Sequence, residues 1–192
     1  KENTTGIGNV ASGSGALQYN TSGDENIAYG PIALYSNTSG SRNIAIGSNA
    51  LYSNTTGYEN VANGHWALVN NTTGSGNIAI GSHALEHNTT GSHNTALGPF
   101  AGQNNETGSG NGFLGCQAGY NETGSNKLYI ANSGTSSPLI GGDFSTMKVS
   151  VPNLDVNGAF KLSDGTQAAG SVLTSDATGM ASWHTPAANV SG

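Results

Sequence analysis

At 192 residues the chain is long enough for one or two globular domains, yet only 34% of it is hydrophobic and 30 residues are glycine, so a single isotropic core would lack the apolar surface needed to offset chain entropy. Only 8% of residues are charged, unlike the highly charged composition of disordered chains, so regularity is the better expectation. The formal net charge is −6 and Arg42 is the sole basic residue between Lys1 and Lys127, which leaves nothing to neutralise a row of phosphates, so no nucleic-acid partner is expected and an anionic membrane is a poor one.

Cys116 is the lone cysteine, which rules out an internal disulfide framework or a multi-cysteine zinc site and predicts a small buried residue. No stretch approaches the roughly 20 apolar residues of a bilayer span, so membrane insertion is not expected. The opening Lys-Glu-Asn-Thr-Thr is no signal peptide, and the sequence reads as a piece of a longer polypeptide.

The first predicted element is a tandem array. From Asn3 the pattern N-[TE]-[TS]-G-x-x-N-φ-A-φ-G-x-x-A-L-x-x restarts at Asn20, Asn37, Asn54, Asn71, Asn88 and Asn105, six successive intervals of 17 residues, and a shortened copy starts at Asn121. Constant columns within this one chain carry the structural reading. The fourth-place glycines Gly6, Gly23, Gly40, Gly57, Gly74, Gly91 and Gly108 are expected to make the same positive-φ turn in every coil. The seventh-place residues Asn9, Asn26, Asn43, Asn60, Asn77, Asn94 and Asn111 are expected to stack as an amide ladder. Between them lies a short strand such as Asn43-Ile44-Ala45-Ile46-Gly47, too short and too glycine-bounded for a helix. Stacking seven such strands at the ~4.8 Å strand spacing predicts a rod roughly 34 Å long.

Side chains alternate across a strand, so Ile44 and Ile46 point one way and Ala45 the other, yet all three are apolar and both faces need cover. The small column Ala11, Ala28, Ala45, Ala62, Ala79 and Ala96 is expected to meet a sister chain, and the Ala-Leu pairs such as Ala33-Leu34 and Ala50-Leu51 to fill the coil from its other wall.

The N-φ-A-φ-G strand followed by an A-L element, repeated over residues 3–125, resembles the head repeats of YadA-like trimeric autotransporter adhesins. That resemblance implies a parallel β-roll, three chains wound side by side and an adhesive extracellular role. The 17-residue coil is longer than that family's usual head repeat, and the Asn-Thr-Thr-Gly segment is read as an enlarged turn.

Next along the chain, Asn126-Lys127-Leu128-Tyr129-Ile130 and Pro138-Leu139-Ile140-Gly141-Gly142 form an exit or neck segment, 126–144. Together with Leu154-Asp155-Val156-Asn157-Gly158 and Gly170-Ser171-Val172-Leu173, this part (126–192) is similar to bacterial and phage tail-fibre proteins just upstream of an intramolecular chaperone domain. Residues 145–192 also read directly as a β-rich region with a loose tail. Val149 and Val151, Leu154 and Val156, and Phe160 and Leu162 alternate with polar neighbours, Pro152 and Asn157-Gly158 place turns, and Trp183 is expected to anchor the packing.

The opening asparagines Asn3, Asn20, Asn37, Asn54, Asn71, Asn88, Asn105 and Asn121 each begin an N-x-[ST] sequon and are candidate glycosylation sites, although Asn, Thr and Gly equally make a good turn. His65, His83, His87 and His93 occupy four different columns, so they form no ladder and no metal motif. Asp24, Glu25, Glu59 and Glu86 are scattered carboxylates, expected to be solvated, with no partnered base or nucleophile. Tyr35 and Tyr52 share a column, as do Trp66 and Phe100; they would stack on sugars from an exterior face or fill gaps at a chain interface.

The chain therefore reads as all-β, a parallel β-solenoid of 17-residue coils in a homotrimer with a β-rich C-terminal region. It is not an enzyme and needs no cofactor or metal. The expected function is that of a structural and adhesive fibre subunit, projecting from a cell surface or virion and touching a receptor or glycan. A purely structural self-assembling filament, glycosylated or not, is the alternative.

Overall fold

A computed structural model describes residues 3–152 and 154, and further on 172–175 and 181–184. They belong to two compact units, Lys1–Asn153 and Leu154–Gly192. The first is an all-β solenoid of about seven turns at the 17-residue spacing, and no described residue is helical. Each coil contributes one strand: β1 (Val10–Ser12), β2 (Ile27–Tyr29), β3 (Ile44–Ile46), β4 (Val61–Asn63), β5 (Ile78–Ile80), β6 (Thr95–Leu97) and β7 (Gly112–Leu114). These pair in parallel, each residue with its counterpart 17 positions on, as in Ile44↔Val61 and Ala45↔Ala62.

Three further strands complete the ten-stranded sheet: β8 (Lys127–Ile130), parallel to β7, then β9 (Ile140–Asp143) and β10 (Lys148–Ser150), both antiparallel. The neck is therefore continuous with the solenoid. In the second unit β11 (Val172–Ser175) pairs antiparallel with β12 (Ala181–His184), setting Leu173 opposite Trp183. The expected Leu154–Val156 and Phe160–Leu162 strands and the Asn157-Gly158 turn fall mostly outside the described residues.

The inner face corrects the expected orientation of the strand. Ala28, Ala45, Ala62, Ala79 and Ala96 are fully buried inside their own coil, with Ala11 half-buried at the edge, so this column is not an inter-chain seam. The reason is volume. The interior already holds the Ala-Leu wall, with Ala33-Leu34, Ala50-Leu51, Ala67-Leu68 and Ala84-Leu85 all fully buried, and two asparagine columns besides. Only a methyl group fits beneath the strand, so the bulky Ile and Val side chains are forced outward.

The Ala-Leu wall is built from turns. Leu34, Leu51, Leu68 and Leu85 have φ of 50–53°, in the left-handed region, which costs about 1–2 kcal/mol per residue. Full burial of a leucine side chain contributes about 1.5–3 kcal/mol in return. Backbone bonds between coils, such as Leu34 N–H to Ala50 C=O at 3.0 Å, add to this and hold the wall in register.

The glycine columns also differ from expectation. The left-handed glycines include the eleventh-place column after each strand (Gly47 has φ 128°), whereas Gly6, Gly23, Gly40, Gly57, Gly74, Gly91 and Gly108 do not have positive φ. Close packing excludes a side chain at the fourth place: a Cβ on Gly40 would lie 2.5 Å from Asn37 Oδ1 and closer still to the Gly57 carbonyl.

One core layer departs from the repeat. Phe113 replaces the strand alanine and is fully buried, while Gly102 and Gly119 replace the two flanking leucines. A Cβ on Gly102 would meet Phe113 Cε2 at 2.6 Å, and one on Gly119 would overlap the same ring. The single aromatic ring thus occupies the volume of two missing leucines.

Candidate interaction surface

Two amide ladders hold the strands in register. Asn60 Nδ2 donates to Asn43 Oδ1 (3.1 Å) and to the Gly74 carbonyl (2.9 Å), while its Oδ1 accepts from the backbone N–H and Nδ2 of Asn77 (3.0 and 3.1 Å). The expected ladder Asn9–Asn111 is therefore present: Asn26, Asn43 and Asn77 repeat this pattern, Asn94 Oδ1 accepts from the Asn111 backbone N–H alone, Asn9 lies at the half-buried lower end, and at the upper end Asn111 Oδ1 accepts from Lys127 N–H.

The second ladder consists of the sequon asparagines. Asn37 Nδ2 donates to Asn20 Oδ1 (2.7 Å) and to the Gly40 carbonyl (2.8 Å), and Asn37 Oδ1 accepts from Asn54 Nδ2 (2.8 Å). Asn20, Asn37, Asn54, Asn71, Asn88 and Asn105 are buried, and N-glycosylation would substitute the very nitrogen that donates these bonds. These six are corrected from glycosylation candidates to core residues, while Asn3 and Asn121 lie at the surface. The ladder breaks between coils six and seven, beside the Phe113 layer, where Asn105 Nδ2 donates only to the Gly108 carbonyl and Asn88 Oδ1 has no partner, and Asn105 Oδ1 is likewise unpaired towards the next coil.

With the alanines inside, the outward face of the sheet is aliphatic. One column runs Val10, Ile27, Ile44, Val61 and Ile78 and then Thr95 and Gly112, and the other runs Ser12, Tyr29, Ile46, Asn63, Ile80, Leu97 and Leu114, so every strand from β1 to β7 carries at least one outward apolar side chain. Ile80 is 43% exposed and Tyr29 63%, against 0% for Ala79 between the columns. Register carries both columns onward: Leu128 pairs with Gly112, Ile130 with Leu114 and with Ile140, and Val149 with Gly142, which itself pairs with Leu128. The stripe spans ten strands, or roughly 43 Å at the ~4.8 Å spacing. An exposed apolar stripe of this length is a candidate interaction surface.

The side walls carry other chemistry. Tyr35 stacks on Tyr52 (5.2 Å between centroids) and meets Tyr19 edge-on (4.9 Å). His83 joins the Trp66–Phe100 column, stacking on Phe100 at 5.0 Å and lying 5.7 Å from Trp66. Rings stacked on one another present edges outward, which removes most of the free faces a sugar would need.

Two other expectations are corrected. Glu86 is buried, accepting from His83 Nδ1 (2.8 Å) and from Gln103 Nε2, and Cys116 is exposed. Among the described residues no group of three or more His, Cys, Asp or Glu is placed to hold a metal ion.

At the neck, Lys127 Nζ donates to Asp143 Oδ2 (2.6 Å), and this bond, with those from Ser145, holds the carboxyl well below the usual carboxylate range. Tyr129 lies beneath β8, facing Phe113 at 6.1 Å, and donates its hydroxyl to Glu122 Oε2 (2.8 Å). Burial, then the bond to Glu122, pushes the phenol from 10.0 up to about 12. The neutral phenol's contribution is therefore fully present below pH 10 and lost as pH rises through about 12. Alkaline titration followed by tyrosinate absorbance and circular dichroism should show the neck loosening across that window, and Tyr129→Phe should remove this limb.

No family model, curated protein or solved structure matches the chain.

Proposed function

We propose that the chain is one subunit of a three-chain extracellular fibre, a structural and adhesive shaft that projects from a cell or virion and touches a surface receptor or glycan through exposed loop positions. The observation that supports this reading most is the outward stripe from Val10 to Val149, which carries at least one apolar side chain on every one of the ten strands. A three-residue strand is only about 10 Å wide, so each chain offers a narrow apolar strip. Three such strips close around an axis parallel to the solenoid, covering the stripe along its whole length and aligning all three chains in one direction. The number three follows from the resemblance to adhesin head repeats. The near-identical coils favour a mechanical role for the shaft, and no catalytic role is proposed.

Native mass spectrometry or sedimentation tests the assembly. The expected mass is three times the 19.2 kDa chain. Ile80→Lys places a charge in the middle of the stripe and should yield single chains that keep the β-sheet circular dichroism of the parent. A 19.2 kDa species for the unaltered chain would overturn the reading.

A further inference from the structure

A seam made from coils that repeat every 17 residues has a register problem. Sliding one chain by a single coil, ~4.8 Å, still sets aliphatic against aliphatic along the middle coils from Ile27 to Ile80, and the departures at Ser12, Thr95 and Gly112 leave no buried amide unpaired, so burial discriminates weakly between aligned and slipped assemblies there. In the outward column from Tyr29 to Leu114 one level is different. Asn63 lies between Ile46 and Ile80, is exposed, and its side-chain amide makes no hydrogen bond to any described residue. The asparagines at the first and seventh places of its coil, Asn54 and Asn60, are both buried and bonded within the ladders, so Asn63 is an amide that the solenoid itself does not use.

We infer that Asn63 fixes the axial register of the chains. The inference rests on the three-chain reading. In aligned chains three Asn63 side chains meet at one level, and since each carries both a donor and an acceptor, they close a ring of amide-to-amide hydrogen bonds. In a chain displaced by one coil, Asn63 faces Ile46 or Ile80 of its neighbours and its amide is buried unpaired, a penalty equivalent to roughly tenfold or more in population. A single polar residue in an apolar seam plays this part in coiled coils, selecting register at some expense of stability.

Cross-linking reads the register directly. In a Cys116→Ser background, chains carrying Ser12→Cys are co-refolded with chains carrying Tyr29→Cys, two outward positions one coil apart. With Asn63 present, disulfides should join like positions, and links between position 12 and position 29 should stay rare. With Asn63→Ile, which only restores the aliphatic pattern of the column, the unlike links should rise roughly tenfold. If they stay rare in Asn63→Ile while the assembly keeps its trimeric mass, the register inference is overturned and the trimer stands. If the native chain is a single-chain species with no like-position links, the three-chain reading fails and this inference with it.

Discussion

Phe113→Ala is expected to destabilise the solenoid by about 3–5 kcal/mol, the usual cost of removing a buried aromatic ring. The figure should lie at the upper end because neither neighbour can collapse into the space: Gly102 and Gly119 have no side chains, and their backbones are held by the bonds from Gly102 N–H to Ala118 C=O (2.9 Å) and from Glu122 N–H to Gly119 C=O (3.0 Å). Urea unfolding of the two proteins measures the difference. The informative variant combines Phe113→Ala with Gly102→Leu and Gly119→Leu. Both glycines have φ near 60°, close to the 50–53° of the leucines in the same column, so leucine is accommodated there as it is in the other coils. The triple variant should recover most of the loss, whereas the two Gly→Leu changes beside an intact Phe113 should destabilise by overpacking. Failure of the triple variant to recover would mean that the ring acts through its contact with Tyr129 rather than by filling volume.

Asn60→Asp should be nearly as damaging although it changes one atom. The carboxylate keeps the acceptors for Asn77 but loses both donors, so Asn43 Oδ1 is left with the Asn60 backbone N–H and the Gly74 carbonyl with Asn71 Nδ2, each now facing a buried negative charge. The two lost bonds cost about 0.5–1.5 kcal/mol each, and desolvating the buried charge adds the larger share. Burial raises the folded-state pKa of the introduced carboxyl, so the variant is closest to the parent in acid and loses further stability as pH rises through that pKa. Denaturation at acidic and neutral pH should show the difference widening with pH. The same change at Asn9, half-buried at the end of the ladder, should cost distinctly less.

The architecture was legible because its period is written in constant columns, and the A-L wall and the seventh-place ladder lie where periodicity puts them. The facing of the strand was not legible. Ile44, Ala45 and Ile46 are apolar on both sides, so alternation gives no inside or outside, and the decision rests on how much volume the other walls leave. The fourth-place glycines misled because a constant glycine has two causes, left-handed φ or close approach, and Gly40 answers to the second. The opening asparagines carry a sequon on residues whose amides are buried, which only the inter-coil bonds reveal. Two signals were available and unread. Glycine breaks the leucine column at Gly102 and Gly119 on either side of the one strand with Phe113, and His83 occupies the column of Trp66 and Phe100.

Translational symmetry has a genetic consequence. Since each interior coil bonds to neighbours of its own kind, duplicating 51 nucleotides of coding sequence inserts one coil whose strand and ladder bonds are those already made between its neighbours, lengthening the shaft by ~4.8 Å. A duplication that is not a whole number of coils would bring Asn opposite Ala and Leu opposite Gly throughout. Reach is therefore a counted quantity, adjustable in equal steps by unequal recombination, and an odd layer such as the one at Phe113 stays fixed as a landmark against which added units can be numbered.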